Sequence, residues 1–188
     1  MNTGGENQAR LFLSYGQGDA KKLAIKLRDD LAGHGYKVWR DAERIRTGWN
    51  WSEEIRDGIK DSQVLVALLS PHAVRRAGMP GNPDNKDSVC LDEIHYALDQ
   101  CNIPIVPAMA VTCEPPFRIF RLQYLDFRRW DESAEQYKAL FEKLCRDIDR
   151  AFTTKLSPTR EWGWLPEPWD FGSSRGPAER FHRARMAV

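Results

Sequence analysis

The feature that most constrains this chain is the run QVLVALLS at residues 63–70. From Val64 to Leu69 it is aliphatic without interruption, with no polar residue in alternate positions. A strand of that kind offers no face to water. It therefore reads as a central strand of a parallel sheet with helices packed on both sides. It is also the longest aliphatic run in the sequence, and far short of the roughly 20 residues a membrane-spanning helix needs.

The flanking segments supply the partners such a strand requires. Leu11-Phe12-Leu13-Ser14 reads as a first buried strand. Asp19 stands where an N-cap would open a helix carrying Ala20, Leu23, Ala24, Leu27 and Leu31, which Gly33 and Gly35 would end. Tyr36 to Trp39 reads as a second strand. The polar loop DAERIRTGWN follows it, and then a helix with Trp51, Ile55 and Ile59 on one face, for which Asn50 and Glu53 have capping-box spacing. Residues 75–87 are too rich in Gly, Pro and Asn for a regular element. Helical spacing resumes from Ser88 with Leu91, Ile94, Leu98 and Cys101. Ile103 to Met109 reads as a strand whose two prolines place it near a sheet edge. Gln123 to Phe127 is a short fifth strand, and Asp131 to Phe152 an amphipathic helix with Tyr137, Leu140, Leu144 and Ile148 in register. Strands alternating with helices in this way predict an α/β fold, a flavodoxin-like doubly wound parallel sheet of about five strands with helices on both faces.

Composition excludes several classes. Lys and Arg number 28 against 27 Asp and Glu, for a net charge of +1. A protein that coats nucleic acid needs a basic surplus, so no direct nucleic-acid binding is expected. The opening residues MNTGGENQAR lack the apolar stretch of a secretory signal, and the chain is expected to be soluble and cytoplasmic, with no membrane partner. Cys90, Cys101, Cys113 and Cys145 are widely spaced, with neither a CxxC pair nor a Cys/His cluster, so no metal site is expected. Composition shifts again near the C-terminus, where Trp162, Trp164 and Trp169 stand among prolines without a period. The expected organisation is a flexible N-terminus at 1–8, one domain at 9–151 and a Pro/Trp-rich linker or tail at 152–188 leading toward a further domain.

In a sheet of this topology, ligands bind beyond the carboxyl ends of the strands, where strand order reverses. The residues at those ends are Ser14-Tyr15-Gly16, the loop after Trp39, Ser70-Pro71 and the region of Pro107. Gly16-Gln17-Gly18 begins a dinucleotide fingerprint, but its third glycine position holds Lys21. There is no GxxxxGK[ST] and no GxSxG, and the acidic acceptor of a phosphoreceiver is replaced by Ser70. One carboxylate stands out. Glu93 falls in the early turns of the helix after the long loop, where the helix dipole favours the ionised form. Position alone leaves two roles open: a surface carboxylate that complements the dipole, as Asp92 next to it would be, or a reactive group facing the strand ends.

Taken in order, LFLSYGQGDAKKLAIKL, GYKVWRDAERIRTGWNWSEEI, QVLVALLSPHAV, CLDEI and IPIVP resemble a Toll/interleukin-1 receptor (TIR) domain over roughly residues 9–151, and most of all the bacterial members. The resemblance implies an enzyme that cleaves the nicotinamide–ribose bond of NAD+, releasing nicotinamide and ADP-ribose or a cyclic or variant isomer. It implies activation by self-association with other TIR domains and a role in bacterial antiphage immunity. NAD+ is then the substrate, with no separate cofactor and no metal. The family's catalytic glutamate corresponds to Glu93. By the same resemblance Ser14, Tyr15 and Gly16 border the nucleotide pocket, and Asp41 through Trp51 match a loop that reaches a neighbouring domain. Trp49 and Trp51 are then candidates to stack on a base, and Ser70 and Cys90 line or support the pocket. Val89 stands where many NAD-cleaving members have Trp, and Gly16 and Gln17 replace basic residues of some animal members. Two alternatives are a non-enzymatic TIR scaffold and a nucleoside deoxyribosyltransferase-like enzyme on a related fold. Glu93 argues against the first, and the loop with its two tryptophans against the second.

Overall fold

The computed structural model describes residues 9–39, 51–80, 82 and 85–156. The elements run β1 (Arg10–Tyr15), α1 (Lys21–Gly33), β2 (Lys37–Trp39), α2 (Trp51–Lys60), β3 (Val64–Leu69), α3 (Val89–Asp99), β4 (Ile105–Met109), β5 (Leu125–Asp126) and α4 (Ala134–Leu156). All strand pairs are parallel, in the order β2-β1-β3-β4-β5. The chain leaves β1 for β2 on one side and returns to β3 on the other. Strand order therefore reverses between β1 and β3, and in sheets of this class ligands bind beyond the carboxyl ends of such a pair.

Side-chain alternation along the strands divides the core in two. Leu11 and Leu13 of β1 and Val64, Val66 and Leu68 of β3 face α1 and α4, where they meet Leu23, Leu27, Leu31, Phe141, Leu144 and Ile148. Phe12, Leu65, Ala67 and Leu69 face the other way, onto Ile55 and Ile59 of α2 and Leu91, Ile94 and Ala97 of α3. Every residue of β3 is buried, as its uninterrupted aliphatic run requires. Burying each such side chain contributes roughly 1.5–3 kcal/mol. Trp39 stacks on Phe12 at 5.0 Å between ring centroids. The indole occupies the space that a Cβ at Gly58 of α2 would fill, so a glycine is needed there.

Several local expectations change. Asp19 does not cap α1: the cap position is Ala20, with no side-chain hydrogen bond, and the Asp19 carboxylate turns elsewhere. The helix ends as expected, with Gly35 in the left-handed region at φ +96. β4, by contrast, lies near a sheet edge as its prolines suggest, being the strand next to the edge strand β5. Its prolines are tolerated for a reason visible in the ladder. Leu65 N–H bonds Pro104 O, and Ala110 N–H bonds Leu69 O, so the even-numbered residues of β4 serve β3. Met109 O accepts from Phe127, so the odd-numbered ones face β5. Pro107 faces that side too, but pairing with β5 begins only at Ala108. Its missing N–H costs no ladder bond.

Ser88 is the N-cap of α3, accepting from Cys90 N at 3.3 Å. α4 opens at Ala134, with Ser133 Oγ accepting from Gln136 N, and runs on to Leu156, beyond Phe152. The capping pair at α2 falls outside the described residues at Asn50. Residues 1–8 and 157–188 also lie outside them, and with them the expected N-terminal and C-terminal segments. No helix among the described residues is long and apolar enough to cross a membrane.

Candidate functional site

Two polar contacts are built at the carboxyl ends of β1 and β3. The first follows from strand parity. Ser14 shares a sheet face with Phe12 and so points toward α3, and Ala67, opposite it in register, adds no bulk there. Glu93 comes from the second turn of α3, on the helix face shared with Cys90 and Ala97. Ser14 Oγ donates to Glu93 Oε2 at 2.5 Å. Both residues are nearly closed to solvent, at 2% and 4% exposure.

Burial separates Glu93 from its neighbour Asp92. Asp92 is exposed and can complement the helix dipole from the surface. Glu93 is not needed for that task, and enclosing a carboxylate costs several kcal/mol of desolvation, which hydrogen bonds must offset. Glu93 is thus an enclosed carboxyl group at the end of the sheet where ligands bind in folds of this class.

The second contact lies on the opposite sheet face. Ser70, at 0% exposure, ends β3 one residue beyond Leu69. Its Oγ donates to Asp19 Oδ1 at 2.6 Å and accepts from Ala73 N at 3.2 Å. Asp19 Oδ2 accepts from His72 N at 2.9 Å. One carboxylate thus ties the β1–α1 turn to the start of the β3–α3 loop. Gly16 lets the two approach: a Cβ there would stand 2.8 Å from Ala73 N and 2.9 Å from both Asp19 Oδ1 and Ser70 Oγ. Cys113, in the segment after β4, feels the same carboxylate. Burial first, and then the charge of Asp19, pushes its thiol up to about 11.

Ser14, Gly16, Ser70 and Glu93 are therefore gathered at one end of the sheet. Tyr15 is half-buried beside them, its hydroxyl accepting from Gln17 Nε2 at 3.2 Å. Cys90 is buried in the cluster that includes Phe12 and Leu65. Asp41 and Trp49 lie outside the described residues, and Trp51 is described only by its backbone, as the first residue of α2. The long loop before α3 is stitched to itself: Ser88 N bonds Arg75 O, Ala77 N bonds Asp87 Oδ1, and Asn82 Nδ2 bonds both Arg76 O and Lys86 O. Asp19 was missed as a site residue. Its one available signal was an acidic side chain just past a strand end, where ligands bind in such a sheet. Among the described residues no three His, Cys, Asp or Glu side chains are grouped to hold a metal ion.

Comparison with known proteins agrees with this architecture. The family model described as TIR domain matches residues 11–145. Among curated proteins, Drosophila melanogaster NAD(+) hydrolase sarm1 is 30% identical over 105 residues, which is 54% of this chain. The match covers only 8% of that relative's length. The TIR domain of the Toll-related receptor TRR-2 from Hydra magnipapillata superposes with a TM-score of 0.57 at 22% identity, over 74% of this chain and 97% of that one. The TIR domains of the activated Roq1 resistosome, which recognises the pathogen effector XopQ, give 0.54 at 16% identity, over 75% and 99%. At those identities the two structures speak to the fold alone.

Proposed function

The chain belongs to the TIR-domain family, and on that premise we propose that it cleaves NAD+ at the bond between nicotinamide and ribose, with Glu93 as the catalytic residue. The observation that carries this reading is the enclosed carboxylate of Glu93 at the switch point between β1 and β3, held by Ser14. A sequence relative named as an NAD(+) hydrolase supports it at the level of the family.

The chemistry asks little of the protein beyond that group. When the C1′–N bond breaks, its electron pair leaves with nicotinamide, which departs as a neutral molecule and needs no acid. Positive charge develops at C1′ and the ring oxygen, as in other glycosidic cleavages. A fixed carboxylate opposes that charge and hydrogen-bonds the ribose hydroxyls, an interaction strongest in the transition state. Water then forms the new C1′–O bond and releases a proton, giving ADP-ribose. Attack by a group of the same nucleotide gives a cyclic or variant isomer instead.

Self-association of the domains is part of the proposal, as is a role in immunity, and the segment from Asp41 through Trp49 to Trp51 at the start of α2 is the one offered to a neighbouring copy. The test is incubation of concentrated or artificially clustered protein with NAD+, wild type beside Glu93→Ala. Nicotinamide release by the wild type, reduced at least ~100-fold in the variant, is expected. No release from clustered wild type rejects the enzymatic reading in favour of a scaffold. Full activity in the variant rejects the assignment of Glu93.

A further inference from the structure

We infer that Ser14 is a positioning residue for Glu93, not a contact to the nucleotide. This role rests on the proposed NAD+ cleavage and adds to it a group that helps to fix the reactive carboxylate.

The geometry has three parts. Ser14 sits inside β1 and is paired in register with Ala67 of β3, so its backbone has no freedom to adapt. Its hydroxyl hydrogen is committed to Glu93 Oε2 at 2.5 Å across 79 residues of sequence. Both side chains are almost wholly enclosed, so water does not substitute for the donor. A serine hydroxyl carries one hydrogen. With that hydrogen on Glu93, Ser14 cannot also donate to a phosphate or ribose oxygen of a bound nucleotide. What it can do is select one rotamer of a flexible side chain. Glutamate has three rotatable side-chain bonds, and a catalytic group displaced by as little as ~1 Å loses on the order of a hundredfold in rate. α3 supplies the other end of the strut, its start being fixed by the Ser88 cap.

Three variants separate positioning from simple structural support. Ser14→Ala removes the donor. Ser14→Cys keeps nearly the same volume but donates weakly. Ser14→Thr keeps the hydroxyl but forces an added methyl into a closed site, so it loses thermal stability. Clustered protein is assayed for nicotinamide release at varied NAD+, and each variant is also melted. The expected order of kcat is wild type, Thr, Cys, Ala, with Ala down roughly 10- to 100-fold, as loss of a charge-assisted buried hydrogen bond implies. KM stays within about threefold, because the ground-state complex does not use the contact. Rates that instead follow melting temperature, with Thr as poor as Ala, overturn the inference. So does a rise in KM at constant kcat, which would make Ser14 a substrate contact.

A double-mutant cycle on thermal stability between Ser14→Ala and Glu93→Ala reads the contact without any activity, and additive effects there also overturn the inference. An inactive clustered wild type rejects NAD+ cleavage itself. An active wild type with unaltered Ser14 variants rejects only the positioning role.

Discussion

The tie between Asp19 and the β3–α3 loop makes a quantitative demand. Asp19→Ala removes the acceptor for Ser70 Oγ at 2.6 Å and for His72 N at 2.9 Å. A hydrogen bond to a charged group contributes roughly 1.5–3 kcal/mol when sheltered. Asp19 stands in an exposed turn, so the lower end applies to each bond. Ser70 is wholly buried and its hydroxyl hydrogen loses its acceptor, so nothing lowers that figure, although its oxygen keeps the Ala73 N–H. Two bonds at the lower end come to about 3 kcal/mol, or a fall in melting temperature of roughly 6–12 °C for a domain of this size. Urea unfolding measures it directly, and an unchanged m-value would place the effect in the native contact. Asp19→Asn can accept from His72 and donate to Ser70, so it is expected to lose less than about 1 kcal/mol. Ser70→Ala breaks one of the same bonds, so the double variant should fall short of the sum of the two singles. A loss below about 0.5 kcal/mol for Asp19→Ala, or full additivity with Ser70→Ala, refutes the reasoning.

Gly16→Ala drives a Cβ against the Ala73 backbone nitrogen, which cannot swing aside, and is expected to cost about 2 kcal/mol by urea unfolding. The cost should shrink in an Asp19→Ala background, where part of the obstruction is gone. Tyr36 and Tyr137 are pushed above the ordinary phenol value of 10.0, first by burial and then by the carboxylates of Asp149 and Asp30 that accept their hydroxyls. A raised folded-state value contributes stability in full below the unfolded value, and loses it as pH rises through the folded one. Of the five tyrosines, these two should therefore ionise only as the protein unfolds at alkaline pH. Complete tyrosinate absorbance before loss of circular dichroism contradicts this. Asp19→Ala and Ser14→Ala act on opposite sheet faces without a shared partner, so their effects on unfolding free energy should add within about 0.5 kcal/mol.

How much was legible in the sequence depended on the range of the interaction. The strands and helices announced themselves through local period, and the five-stranded parallel sheet followed from their alternation. β3 was readable because burial on both faces leaves a mark on every residue. Asp19 was misread because its position just before an apolar helical pattern is also that of a cap. The bond that claims it spans 51 residues to Ser70, which no local pattern encodes. The prolines signalled a strand near an edge, which β4 is, but that Pro107 costs no ladder bond depends on where β5 begins, which local sequence does not show. Glu93 was legible as a candidate from its place early in α3. Its enclosure was not, because that depends on strand parity and on the crossing of α3 over β1.

The two polar contacts at the end of the sheet have different physical purposes, and parity explains why they do not interfere. Successive strand residues point to opposite faces. Ser14 therefore belongs to the α2–α3 side with Phe12, while Ser70, continuing the parity of Val66 and Leu68, turns to the α1 side and meets Asp19. On the α1 side the carboxylate is near the surface and joins two backbone turns, so its cost of desolvation is small and its product is stability. On the α3 side the carboxylate is enclosed, its desolvation is expensive, and a single apolar pair in its place would serve stability better. On the proposed function, that enclosed carboxylate is the group offered to the substrate beyond the carboxyl ends of β1 and β3. The near-neutral net charge of +1 provides no general field to steer a charged partner from a distance, so the electrostatics of the sheet end are those of local groups such as these.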